Sequence, residues 1–238
     1  MGESITLIKN RATKTISAAK SVADKWVWSE KTADEIQAML TAITGNKQVS
    51  PPVVGQEEIV SQAGRVMVAA RGNWDTNLTK LHQWTVQGLG MAKNRFRNNP
   101  ASLGVVSGLT GGSSTREGIL SEALAWESAW NNVDPNWSPM PANTLAAFKI
   151  LRKQCAEDLQ TAYTDACSEW REQSGLLTEM GRKLEDINEA WYADATRVFP
   201  AGSAEGDMIR STVPTTYTPS TSTPPPAPTP TATPAKTP

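Results

Sequence analysis

The 57 residues 143–199 contain no proline and read NTLAAFKILRKQCAEDLQTAYTDACSEWREQSGLLTEMGRKLEDINEAWYADATRVF. Apolar side chains recur in this stretch every three or four positions, from Leu145 to Val198. That spacing is typical of one face of an α-helix. An unbroken helix would be a rod of about 85 Å, because each residue adds about 1.5 Å. The rod would be this long unless the helix is kinked at Ser174–Gly175 or Gly181.

The rest of the chain up to the last 25 residues has the same helical spacing. It predicts helices over about residues 4–22, 32–44, 57–96 and 115–133. Thr32, followed three residues later by Glu35, has the spacing of a capping box, and Gly45 is typical of a helix end. No comparable stretch alternates with the period of a strand. The sequence therefore predicts an all-α protein, an elongated antiparallel helical bundle.

An internal duplication is suggested by the tryptophans. Trp28 and Trp137 are each followed by serine and then by a helix with apolar residues at the same two offsets, and they lie 109 residues apart. Trp74 and Trp170 match in the same way, 96 residues apart. The difference is about the length of the loop over 45–57, so one inserted or lost loop explains both offsets. Two duplicated helical hairpins would each bury an apolar stripe against the other.

This interpretation divides the chain into four parts. Residues 1–100 form the first helical hairpin repeat, and residues 101–114, rich in Gly and Ser, form a linker. Residues 115–212 form the second hairpin repeat, with its one long helix. Residues 213–238 are dominated by Pro and Thr, a composition that predicts a disordered tail with polyproline bias.

Charge and hydropathy limit the class of partner. Lys and Arg number 23 against 24 Asp and Glu, so we expect no nucleic-acid surface, which needs an excess of cations. We expect no transmembrane segment, because no apolar run is long enough. The first 20 residues lack the apolar core of a secretory signal, which makes a cytoplasmic location the default expectation. A surface or secreted location stays open.

The few residues capable of chemistry are scattered. Cys155 and Cys167 would lie about 18 Å apart on one helix, too far to form a disulfide. His82 is the one histidine, and no spacing typical of a zinc or di-iron site surrounds it. We therefore expect no catalytic residue, no cofactor and no metal.

The nine tryptophans are divided by their position. Most lie on apolar helix faces, where packing in the core is the ordinary role of a large ring. We expect this of Trp74, Trp84, Trp126, Trp130, Trp170 and Trp191. Trp26, Trp28 and Trp137 precede helices and are the better candidates for a surface role.

One stretch of the long helix is a candidate partner face. The helix predicted over 57–96 spans only about 60 Å and cannot cover the whole rod. An apolar stripe left open, most simply around Leu184, Ile187 and Trp191, would then bind a partner protein or a second copy of the chain.

Two segments carry a resemblance. The run DPNWSPMP over 134–141 resembles a DPxWxPxP motif of uncharacterised bacterial helical proteins, and FPAGSAEGD over 199–207 is similar to their C-terminal end. The resemblance implies a helical fold and brings no known activity.

These features favour a non-enzymatic helical scaffold or protein–protein interaction protein. Two alternatives stay open. One is a secreted or surface-associated protein whose Thr/Pro tail acts as a stalk. The other is an enzyme of unrecognised type.

Overall fold

The computed structural model describes residues 4–213. Within that range the chain is built from α-helices and holds no strand, only the isolated bridges Asn46–Val53 and Met140–Asn143. The prediction of an all-α protein is confirmed.

The predicted tail lies outside the described residues, apart from Val213. In chain order the helices are α1 (Ile5–Ser21), α2 (Ala33–Thr44), α3 (Gln56–Arg95), α4 (Pro100–Ser107), α5 (Arg116–Val133), α6 (Leu145–Lys153), α7 (Leu159–Val198) and α8 (Ala204–Arg210).

Local sequence sets the start and end of α2. The Thr32 hydroxyl accepts a hydrogen bond from the backbone N–H of Glu35, and the Glu35 carboxylate accepts one from the backbone N–H of Thr32. The predicted capping box is confirmed. The helix ends at Gly45, whose φ of 77° is a conformation that favours glycine. A side chain there would also collide with the backbone of Val53 and Gly55.

The long helix predicted from the proline-free stretch is present, with one irregularity. A π-helical turn over Gln154–Asp158 joins α6 directly to α7. The three together cover residues 145–198 and extend about 80 Å. The register changes at this turn, whereas Ser174–Gly175 and Gly181 lie inside the continuous helix α7.

Helices α3 and α7, each 40 residues long, run antiparallel and form the axis of the molecule. Gln56 at the start of α3 donates hydrogen bonds to Gln173, and Gly64 lies beside Trp170. Farther along α3, Trp74 reaches Cys155. The two helices therefore overlap over only part of their lengths, and each continues past the other into its own end of the rod.

Each end of the rod holds its own hydrophobic core. The first core lies among α1, α2, the C-terminal half of α7 and α8. The second core lies among the C-terminal half of α3, α4, α5 and α6. The halves of the chain thus have the same order of helices: α1 packs against α2 and α7, and α5 packs against α6 and α3. That the halves are duplicated hairpins stays a prediction.

Three expectations about particular segments are wrong. The segment predicted as a linker over 101–114 begins within α4, whose Val106 is fully buried in the core. Trp28, a candidate for a surface role, is instead buried in the core at that end of the rod, and its indole N–H donates to Asp194 at 3.0 Å. Trp170 is 36% exposed rather than in a core, because no third helix covers its side of α7.

Candidate functional site

The predicted partner face on α7 is not open. Leu184 and Trp191 are 0% and 1% exposed, and Ile187 packs against the same core. The reason is the course of α1, which runs alongside this part of α7. Its Ile5 lies against Gly181 at the near end of the contact. The prediction of a partner face at these residues is therefore wrong, since a helix of the first half covers the stripe.

The stretch without cover lies in the middle of the rod. We call residues 57–73 of α3 and 159–180 of α7 the waist. No residue of α7 within the waist is buried, and Ala63 is the one buried residue of α3 there. The fully buried residues of both cores end at the borders of the waist, where Leu177 and Met180 still pack against one core and Leu159 and Tyr163 against the other. Lys9 of α1 reaches Glu57 and Lys47 reaches Glu58 at one border of the waist. Between its borders, in the part of the chain that the structure describes, the waist is a pair of helices without a third helix over it.

The short helices explain why the waist is bare. Helix α1 has 17 residues and begins beside Gly181, and α5 has 18 residues and begins beside Asp75. Arg116, the first residue of α5, binds the Asp75 carboxylate at 2.7 Å and lies over the Trp74 ring. Each short helix extends away from the waist from these starting points. Helices of this length cover about 25 Å, so neither end can supply a third helix to the middle.

One side of the waist carries a groove between the two helices. It has a volume of about 590 Å³, and we call it the waist groove. The α3 side is lined by Ile59, Gln62, Ala63 and Val66, and the α7 side by Ala162, Asp165, Ala166 and Glu169. Val66 is 55% exposed although it is aliphatic. The floor is apolar and made partly of small side chains, so a partner can approach the helix backbones closely.

The other side of the waist carries an exposed tryptophan. The Trp170 ring lies along α3 with its edge against Gly64, where a Cβ would stand 3.5 Å from the ring. Val68 beside it is 64% exposed. Together these residues border a second, shallower depression of about 510 Å³. Apolar surface is therefore open on both sides of the waist.

The charged residues in the lining of the waist groove are acidic and lie on α7, whereas Arg65, Arg71 and Arg171 of the waist lie outside that lining. Asp165, Glu169 and Glu172 follow one another at four and three residues, which places them on the same side of α7. All three are exposed, and none makes an ion pair with another described residue. The α3 side of the waist groove has no charged residue in its lining. The groove thus has an acidic edge and a neutral edge.

The residues capable of chemistry are far from forming a reactive cluster. Cys155 is buried in the second core, and burial raises the pKa of its thiol from 9.0 to about 11. Cys167 is partly exposed and unpaired. Among residues 4–213 no group of three or more His, Cys, Asp or Glu side chains is placed to hold a metal.

The tryptophans at the helix-entry turns serve mainly as packing groups. Trp26 contacts Trp191 and Phe199, with ring centroids 6.4 and 6.1 Å apart. Trp137 accepts the Trp130 indole N–H at its backbone carbonyl and meets Phe96 edge to face. A pocket of about 280 Å³ lies near Trp26 and Trp28, at the end of the rod.

The fold and the surface define a class of protein, an elongated all-α rod whose two cores are joined by a helix pair with exposed apolar side chains. None of the helices in residues 4–213 has an apolar stretch that could cross a membrane. No family model, curated protein or solved structure matches the chain.

The sequence contains a signal for the waist that helical spacing alone does not reveal. The apolar stripes of both long helices continue through it, but large side chains give way to Ala63, Ala162 and Ala166. The combined lengths of the short helices were the second signal, since two helices of about 18 residues cannot cover two helices of 40.

Proposed function

We propose that the protein is a non-enzymatic helical scaffold whose waist binds another protein chain. The observation that carries the proposal is the bare helix pair, where no residue of α7 between Leu159 and Met180 is buried. Exposed Val66, Val68 and Trp170 concentrate apolar surface there. Exposed apolar patches, here one on each side of the waist, are typical of protein–protein contact sites.

We also infer that the two halves are duplicated hairpins. The matching tryptophan offsets and the matching order of packed helices support this origin. A duplicated rod would have two equivalent ends and one unique middle. The unique middle is the part in which a binding function can arise without disturbing either core.

Photo-crosslinking tests the binding function directly. A benzophenone amino acid at position 162 places the reactive group in the waist groove, and the same group at Ala193 is the matched control. Both alanines are exposed on α7, but Ala193 lies outside the waist. In native cells we expect a discrete protein adduct from position 162 and none from Ala193. Equal adducts from both positions, or none from either, would contradict the proposed function.

A further inference from the structure

We propose that the waist groove binds an amphipathic α-helix of another protein, with a narrow apolar face and lysine or arginine along one flank. This inference rests on the proposed function and names the class of partner. It begins from the groove itself, whose apolar floor of Ile59, Ala63 and Val66 on α3 faces Ala162 and Ala166 on α7.

A helix fits the groove because helices already occupy the same place at both ends. In the first core α1 packs on α7, and in the second core α5 packs on α3. The groove lies between these two ends, along about two helical turns of each long helix. A third helix laid there would continue the bundle through the waist, with ordinary ridge-into-groove packing.

The small floor residues limit what the partner can present. Ala162 and Ala166 leave room for one row of aliphatic side chains pointing into the groove, while Ile59 and Val66 close its α3 side. This favours a partner with a narrow apolar stripe at three- and four-residue spacing.

The negative charge on the α7 edge of the waist groove favours a partner helix with positive charge along one flank. Asp165 and Glu169 line the groove at i and i+4, an arrangement of like charges that weakens an isolated helix. Glu172 extends the same edge by one turn. Cations on the flank of a bound helix would relieve this repulsion and would guide the partner to the groove.

The same edge argues against a second copy of the chain as the occupant. In a two-fold contact whose axis crosses the groove, the acidic edges of two waists would face each other. If the axis runs along the groove, each acidic edge meets a neutral edge and gains no cation from it. Like charges placed opposite each other in an interface disfavour that pairing. The neutral α3 side offers no cation to compensate, since its lining residues are uncharged.

A matched pair of peptides tests this proposal on the full chain. The basic peptide has about three heptads with Leu and Ala at the two core positions and Lys at the flanking positions, and its acidic twin has Glu in place of every Lys. Titration calorimetry or fluorescence anisotropy measures the affinity of each. We expect the basic peptide alone to bind, and to bind at least tenfold more weakly at about 1 M salt than at about 0.1 M.

Charge-reversal variants locate the binding. The double variant Asp165→Lys/Glu169→Lys should have an affinity for the basic peptide at least about tenfold lower, and it should bind the acidic twin instead. Asp24→Lys/Glu30→Lys makes the same change of net charge at exposed residues outside the waist and should bind as the unchanged chain does. The milder double variant Asp165→Asn/Glu169→Gln should bind the basic peptide more weakly but should not bind the acidic twin in its place. It replaces the double lysine variant if that variant does not fold.

Several results would overturn the partner class. They are no binding of the basic peptide, equal binding of both peptides, or equal losses in the waist and control variants. A crosslink from position 162 between two copies of the chain would also overturn it, because the partner in the groove would then be a second copy of the chain. The proposed function has its own test, because a waist that forms adducts but ignores the basic peptide remains a binding surface for a different partner.

Discussion

The indole N–H of Trp74 donates a hydrogen bond to the backbone carbonyl of Cys155 at 2.9 Å. The bond joins α3 to the π-helical turn, the point where the hydrogen-bond register of the long helix changes. Arg116 and Tyr163 cover the Trp74 ring from the solvent side. Trp74 thus closes the second core where it meets the waist.

Truncation of Trp74 should strongly destabilise the protein. Trp74→Ala should lower the free energy of unfolding by about 3–5 kcal/mol, the usual range for a buried tryptophan. Trp74→Phe keeps most of the ring but leaves the Cys155 carbonyl without its donor, which should cost about 1–3 kcal/mol. Urea denaturation measures both.

Trp170→Ala is the matched control at the related position on α7. Its ring is 36% exposed and no hydrogen bond of the indole to another described residue is present, so the cost should be well below that of Trp74→Ala. Equal costs for the two truncations would mean that Trp170 lies in a core, contrary to the structure.

Two glycines of α3 should respond in opposite directions to the same change. A Cβ at Gly88 would stand 2.9–3.0 Å from the Trp126 indole, which is fully buried and has no room to move aside. Gly88→Ala should therefore destabilise the protein by about 1–3 kcal/mol.

Gly90 is exposed, and a Cβ there meets nothing within 4 Å. Gly90→Ala should stabilise α3 by about 0.5–1 kcal/mol, because alanine has the higher helix propensity. Thermal unfolding followed by circular dichroism compares the two variants. Stabilisation by both would show that α3 and α5 are not in close contact at Gly88.

Much of the fold could be predicted from the sequence because the determinants are local. The proline-free stretch, the capping box of Thr32 and the glycine at position 45 act within a turn or two of themselves. The π-helical turn gave no such signal, since Gln154–Asp158 has the composition of an ordinary helix. The turn accepts the Trp74 hydrogen bond, a tertiary contact between residues 81 positions apart that helical spacing does not reveal.

The sequence does not predict the position of the candidate site correctly, because that position depends on tertiary packing. Helical spacing identifies which residues share a face, but it does not tell which neighbour covers that face. Leu184 and Trp191 lie in the stripe that α1 covers, in one core with Ile8 and Ile16. The open surface is the weaker stripe through Ala162 and Ala166, where the short helices do not reach.

The two cysteines should differ in reactivity. Cys155 is buried and Cys167 is partly exposed, so a maleimide at neutral pH should label one thiol of the folded chain and two in urea. The thiolate is the reactive form, and burial keeps the pKa of Cys155 at about 11. Mass spectrometry of tryptic peptides identifies the labelled residue. Rapid labelling of Cys155 in the folded chain would contradict its place in the core.

The same thiol makes stability depend on pH at the alkaline end. Its pKa is raised on folding from 9.0 to about 11, so the folded state holds the proton more tightly than the unfolded state. The contribution is complete below about pH 9 and is lost as the pH rises towards 11. Cys155→Ser would be a poor control, because it buries a hydroxyl. Cys155→Ala should remove this part of the pH dependence, which denaturation at several alkaline pH values measures.

The shape of the rod gives the last prediction. Helices α6 and α7 with the turn between them extend about 80 Å, and α3 continues past α7 at the opposite end. A compact globule of 238 residues would have a radius of gyration of only about 17 Å. Small-angle scattering from a chain that ends at Thr212 should therefore give a larger radius and a longest dimension above about 80 Å. The Asp165→Lys/Glu169→Lys variant should give the same curve, because both side chains are exposed. A radius near 17 Å would mean that the two cores fold against each other and close the waist, and the groove between α3 and α7 would then have no access to a partner.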